Sequence, residues 1–97
     1  MKIRLSDHLK FKAKVRNISA SLPKKIVKEA EKIYFDKETR HWIAVKEEKY
    51  TGKIRPIVAV FDKTNGDIEI ITIFPNDINE VNSRIKRGRW IHEKTKN

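Results

Sequence analysis

The most constraining feature of this sequence is the Asn65-Gly66 pair, which separates two apolar runs at residues 54–61 and 68–74. Both residues accept the positive φ angles of a two-residue hairpin turn, so the two runs are expected to form neighbouring antiparallel strands. A third run at residues 41–48 also alternates with a period of two. It joins the second run through Thr51-Gly52-Lys53, which predicts another hairpin and a three-stranded meander.

Helical spacing replaces the period of two on both sides of this meander. Ser6 suits an N-cap ahead of a first helix over residues 7–16. A second helix is predicted after Ser21, and a short third one is expected to end near Gly88. The apolar stripes of the second and third helices are Leu22, Ile26, Val27, Ala30, Ile33 and Tyr34, and then Ile78, Val81 and Ile85.

These elements predict one α+β domain over residues 1–97. Two N-terminal helices would pack on one face of a three- to four-stranded antiparallel sheet, and a short helix would follow. The opposite face of the sheet is expected to be partly open to a ligand.

The positive charge is concentrated near the two ends of the chain. The formal net charge is +10. Residues 2–28 hold nine Lys or Arg against Asp7, residues 83–97 hold six against Glu93, and residues 29–82 sum to −3. Such polarity favours a polyanionic partner.

Several classes of site lack the residues they need. The chain has no cysteine, and its three histidines are 33 and 51 residues apart, so neither a disulfide nor a zinc site is expected. A glycine-rich phosphate loop is also missing, and no cofactor is predicted. The first residues lack the apolar core of a signal peptide, and no run reaches membrane-spanning length, which predicts a cytoplasmic, soluble protein without a membrane partner.

A cationic ladder in the first helix is the leading candidate site. His8, Lys12 and Arg16 recur every four residues, which stacks them on one side of a helix without an intervening carboxylate. Their mutual repulsion would be relieved by an anion, and we expect that anion to be the phosphate backbone of RNA. A solvated basic face is the alternative.

Two other groups are candidates for nucleic-acid binding. Lys53 and Arg55 flank a hairpin and are placed to follow a phosphate backbone. The basic tail, about residues 84–97, interleaves positive charge with an indole that can stack on bases, although Trp90 could instead fold into the core. The tail residues concerned are Arg84, Lys86, Arg87, Arg89 and Trp90.

Residues 3–75 resemble the RelE and BrnT toxin superfamily, which has the barnase–EndoU–colicin–RelE ribonuclease fold. The order of elements carries the resemblance, together with Arg16-Asn17-Ile18 and the strand ending at residues 70–75. In a largely uncharacterised branch of that superfamily, an early helix carries a His, a basic residue and an Arg, and the last core strand contains a Thr before a Pro. This sequence matches that pattern at His8, Lys12, Arg16 and Thr72.

The resemblance implies metal-independent RNA cleavage by a toxin that an antitoxin, here expected to be acidic, holds inactive. In that chemistry His8 would take a proton from the 2′-hydroxyl, while Lys12 and Arg16 would hold the phosphate. His41 is the leading candidate for the general acid, if the fold brings it near His8. Thr72 would either contact phosphate or pack in the core. Two alternatives remain, a non-catalytic nucleic-acid-binding module and a protein-interaction domain with an acidic partner.

Overall fold

The computed structural model describes residues 2–93, within which the chain forms three helices and six strands. Over this described stretch, no helix is both long enough and apolar enough to cross a bilayer. In chain order the elements are β1 (Ile3–Leu5), α1 (Asp7–Val15), α2 (Ser21–Glu29), β2 (Lys32–Asp36), β3 (Trp42–Tyr50), β4 (Lys53–Thr64), β5 (Asp67–Pro75), α3 (Ile78–Lys86) and β6 (Trp90–Glu93).

The strands form one mixed sheet in the order β1-β5-β4-β3-β2-β6. β1 runs parallel to β5, and the other neighbouring strands are antiparallel. The chain is therefore α+β, but the predicted sheet of three to four antiparallel strands is wrong in both strand number and strand direction. Two helices precede the meander as expected, although β1 comes before them.

The three strands that were not predicted, β1, β2 and β6, show no clear alternation of apolar and polar residues. β1 has three residues and β6 has four, which is too short for a period of two to stand out. β2 follows Ala30, where the backbone becomes extended with φ −61° and ψ 129°. Ile33 and Tyr34 continue the helical spacing of α2, but in the extended chain they pack on opposite faces of the sheet.

Each face of the sheet is covered by helices. α1 and α2 bury the larger core on what we call the α1/α2 face, and α3 packs on the other, the α3 face. Thus the face that was expected to be partly open carries a helix. The α1/α2 core includes Leu5, Leu9, Ile26, Ala44, Tyr50, Ile57, Ala59, Phe61, Ile68, Ile70 and Ile73, and the α3 core includes Tyr34, Ile43, Val58, Val81 and Trp90.

The hairpin at Asn65-Gly66 is confirmed. Asn65 and Gly66 have φ angles of 52° and 85°, as the tight turn between β4 and β5 requires. Further along, the pairing of β4 with β5 shifts by one residue. Phe61 lies opposite Ile70 and Val60 lies opposite Thr72, so Ile71 is an extra residue in a β-bulge.

Candidate functional site

Ser6 fixes the start of α1 against β5. Its backbone is extended, and its Oγ accepts a hydrogen bond from the backbone N–H of Leu9 at 3.1 Å. The same hydroxyl donates to the carbonyl of Ile71 at 2.9 Å. Leu9 and Ala13 are then buried against the sheet, so the side of α1 that carries Lys12 has a defined position.

The outer edge of β5 is left open where β1 ends. β1 pairs only with residues 68–70 of β5. Successive carbonyls normally point to opposite edges of a strand, but at the bulge those of Ile70 and Ile71 both accept hydrogen bonds from Ser6. The next outward carbonyl belongs to Ile73, and it accepts a hydrogen bond from Lys12.

Lys12 joins α1 to this open edge. Its Nζ donates to the Ile73 carbonyl at 2.8 Å and to Thr72 Oγ1 at 3.2 Å. An ammonium group carries three protons, so these two bonds leave one proton for a further acceptor. Burial lowers the pKa of Lys12, because the charged ammonium loses water, and the positive charge of Arg16 lowers it further.

The ladder has no carboxylate partner among residues 2–93. None of the ion pairs in that part of the chain includes His8, Lys12 or Arg16. Six of the 19 other Lys and Arg side chains in that part of the chain are paired, so the absence of a carboxylate is not peculiar to the ladder. The pairs made outside the ladder include Lys25 with Glu48, Lys46 with Glu29 and Glu48, Arg84 with Glu80, and Arg89 with Asp36 and Glu38.

The structure therefore brings Lys12 together with Thr72 and Arg16. His8 lies one helical turn before Lys12 and is exposed, as is Arg16. Arg16 also lines a hollow of about 300 Å³ beside the β3–β4 turn. We call these four residues the ladder site; their part in binding or catalysis stays a prediction.

His41 does not belong to the ladder site. Its neighbour Trp42 packs on the α1/α2 face, and the alternation of the strand directs His41 to the α3 face. There His41 Nδ1 lies 2.6 Å from Asp62 Oδ1. Asp62 is directly opposite Glu69, so His41 lies among carboxylates. α1, which carries His8, packs on the opposite face of the sheet, so the condition for His41 as the general acid, that the fold brings it near His8, is not met.

Arg89 and Trp90 both donate hydrogen bonds to the buried carboxylate of Asp36. Arg89 binds both carboxylate oxygens of Asp36 at 3.1 Å, and the indole N–H of Trp90 donates to Asp36 at 3.3 Å. Burial alone would raise the pKa of Asp36, but the hydrogen bonds from Arg89 and from the backbone of Glu38 and Thr39 bring it down to about 2. Trp90 is 1% exposed, so its ring packs in the core and offers no stacking surface.

The other basic candidates lie in two further places. Arg84 pairs with Glu80 and covers the Trp90 ring, whereas Lys86 and Arg87 are exposed at the end of α3. The rest of the tail, residues 94–97, lies outside the described residues. Lys53 and Arg55 line an open cleft of about 610 Å³ beside the start of α3.

Asp62 was missed at the sequence level although a signal for it existed. A two-residue turn at Thr51-Gly52 pairs Tyr50 with Lys53, and counting back along both strands places His41 beside Asp62. The contact between Lys12 and Thr72 had no such signal, because it depends on the early end of β1 and on the bulge. Within residues 2–93, no group of three His, Cys, Asp or Glu side chains is placed to hold a metal ion.

Comparisons of the chain with protein-family models, with curated proteins and with solved structures find no match.

Proposed function

We propose that this protein binds RNA and that the ladder site holds a backbone phosphate. The observation that carries the proposal is the state of Lys12, whose ammonium is oriented by two neutral acceptors, lies beside Arg16 and has no carboxylate partner within residues 2–93. Carboxylates neutralise six other Lys and Arg side chains within residues 2–93, and Lys12 differs from most of the unpaired ones because two acceptors orient its ammonium. A group held in this way is ready for an anion, and its repulsion from Arg16 falls when one binds.

Each ladder residue has a distinct part in this binding. The remaining proton of Lys12 Nζ donates to a non-bridging phosphate oxygen. The exposed guanidinium of Arg16 can donate two parallel hydrogen bonds to the same phosphate. Thr72 Oγ1 keeps the ammonium in place by accepting one of its protons. The excess positive charge of residues 2–28 supplies long-range attraction.

RNA is favoured over DNA by the resemblance of residues 3–75 to a ribonuclease-fold superfamily. The pattern of that resemblance includes His8, Lys12, Arg16 and Thr72. Lys12 supplies the ammonium, and Thr72 and Arg16 lie beside it. His8 lies one turn earlier on the same helix. The match between the family pattern and this spatial cluster supports the proposal.

Metal-independent cleavage at the same site is the second candidate function, and the lowered pKa of Lys12 favours it. His8 would take the proton from the 2′-hydroxyl, and the 2′-oxygen would then form a bond to phosphorus. As the bond from phosphorus to the 5′-oxygen breaks, Lys12 would give that oxygen its proton. The products would be a 2′,3′-cyclic phosphate and a free 5′-hydroxyl, with Arg16 stabilising the phosphorane.

The binding proposal is tested by the affinity for a short fluorescein-labelled RNA, measured by fluorescence anisotropy. Arg16→Ala should weaken binding about tenfold, since it removes a charge-assisted contact. The variant should also reduce the slope of log affinity against log salt by about 1. Lys37→Ala is the matched control, because it removes one exposed positive charge from the turn after β2.

The control should bind almost as tightly as the wild type. Equal losses in the two variants would mean that only total charge matters, and that result would contradict a specific site. An absence of RNA binding by the wild type at low salt would contradict the whole proposal.

A further inference from the structure

α1 exposes two large apolar side chains on its outer side. Phe11 is 68% exposed and Val15 is 66% exposed, and they lie one turn apart on the side of the helix away from the buried Leu9 and Ala13. An exposed phenylalanine is not explained by the packing of this fold. Leu9, Ala13 and Lys12 already hold the helix against the sheet, so the exposed side chain of Phe11 is available to contact a ligand.

This apolar pair is surrounded by positive charge. By helical position, Lys10 and Lys14 lie on one side of Phe11, and His8 and Lys12 lie on the other. The one acidic residue of α1 is Asp7, which lies 3.9 Å from Lys10. An aromatic ring between rows of cations is the combination by which proteins hold single-stranded nucleic acids, because the cations follow the phosphates while the bases stack.

We infer that Phe11 is a stacking platform for an unpaired RNA base, next to the phosphate at Lys12 and Arg16. This inference rests on the proposed RNA binding, and it adds that the preferred ligand is single-stranded. A base in a duplex is stacked on its neighbours and cannot offer its face to the ring. Phe11 and Lys12 are consecutive and do not face each other, but His8 is the i,i+3 neighbour of Phe11 and the i,i+4 neighbour of Lys12. A strand whose phosphate lies at Lys12 can therefore reach Phe11 with a base by passing over His8.

A second copy of this chain is a poor occupant for the same surface. Two α1 helices packed through Phe11 would bring six lysines together, Lys10, Lys12 and Lys14 from each copy, with one Asp7 from each to offset them. Such like-charge contacts are unfavourable. The charge of the surface instead complements a polyanion, and the flat aromatic ring complements a base.

The test compares three substitutions in binding to single-stranded RNA and to a duplex of the same length. Phe11→Leu should weaken single-strand binding about tenfold and leave duplex binding unchanged, because it removes only the stacking surface. Phe11→Trp should keep or improve single-strand binding. Val15→Ala is the matched control, since Val15 is equally exposed but cannot stack, and it should have little effect.

The outcomes separate this inference from the proposed function. If Arg16→Ala weakens RNA binding while Phe11→Leu binds single strands as well as the wild type, the inference is overturned and the proposed function stands. Equal losses for single strands and duplexes, or an equal loss in Val15→Ala, would also overturn the stacking role. All of these residues are exposed, so the thermal midpoint should not change in any variant.

A protein partner gives a different result. If an acidic protein occupied this surface, Phe11→Leu and Phe11→Trp would leave single-strand affinity unchanged. That outcome would overturn the inference, since stacking on a base requires the aromatic ring.

Discussion

Lys12 donates a hydrogen bond across 2.8 Å to the backbone carbonyl of Ile73, 61 residues away in sequence. The contact closes the edge of β5 at the point where β1 has ended. The same ammonium lies beside Arg16 and keeps one proton free. One side chain thus supports the sheet edge and presents a cation, so its two roles must be separated by substitution.

Replacing Lys12 with Met should lower both stability and affinity. Lys12→Met keeps an unbranched side chain but leaves the Ile73 carbonyl and Thr72 Oγ1 without their donor. We expect the free energy of unfolding in urea to fall by about 1–2 kcal/mol. Thr72→Val is the matched variant, because it removes one of the two acceptors and should cost less. An unfolding free energy of Lys12→Met equal to that of the wild type would show that the edge contact contributes nothing.

Exchanging Lys12 for Arg should separate RNA binding from RNA cleavage. Arginine keeps the positive charge, but its guanidinium does not give up a proton near neutral pH, so it cannot act as a general acid. Lys12→Arg should bind RNA with nearly wild-type affinity and yet fail to produce 2′,3′-cyclic phosphate ends in EDTA. His8→Ala should also fail to cleave. Cleavage by Lys12→Arg at the wild-type rate would exclude Lys12 as the proton donor.

The cleavage reaction should also have a characteristic pH dependence. A general acid must be protonated to act, and burial lowers the pKa of Lys12 from 10.5. The rate should therefore fall on the alkaline side at a pH below that ordinary lysine value. A rate that stays constant up to pH 10.5 would contradict this assignment.

The Asp36–Arg89 pair should make the fold sensitive to acid. The pKa of Asp36 is lowered from 3.8 to about 2, so the stabilisation is present above the unfolded value and is lost as the pH falls from 3.8 towards about 2. The loss should amount to about 2 kcal/mol in urea unfolding at successive pH values. Asp36→Asn keeps an oxygen acceptor for Glu38 and Thr39 but cannot titrate. The free energy of unfolding of Asp36→Asn should change less than that of the wild type over this pH range. Parallel plots of unfolding free energy against pH for the two proteins would contradict the stabilising role of the Asp36 carboxylate.

Local patterns in the sequence predicted those parts of the fold that local interactions determine. Asn65-Gly66 accepts the φ angles of a tight turn, and Ile26 and Val81 in the predicted stripes of the second and third helices are buried, although Ile78 stays 53% exposed. β1 and its parallel pairing with β5 could not be read, because the contact joins residues 65 apart and only three residues form the strand. The C-terminal end of α2 could not be predicted either, since Ile33 and Tyr34 fit a helix and a strand equally well.

The candidate site was predictable as a set of charges but not as an arrangement. Helical spacing placed His8, Lys12 and Arg16 on one side of α1, which a single helix determines. The contact of Lys12 with Thr72 depends on the bulge at Ile71. The burial of Trp90, which removes it as a stacking residue, depends on its hydrogen bond to Asp36. Both features arise from tertiary packing. His41 is the exception, because the register of the β3–β4 hairpin would have been sufficient to place it beside Asp62.

The measurement that tests the central claim most directly is a titration of ¹⁵N-labelled protein with a short single-stranded RNA, followed by amide chemical shifts. Binding at the ladder site predicts the largest shifts in α1 and at residues 71–73 of β5, with small shifts in α3 and β6. Arg16→Ala should reduce these shifts at the same RNA concentration. Shifts centred on the cleft beside Lys53 and Arg55, or no shifts at low salt, would contradict the claim that the ladder holds the phosphate.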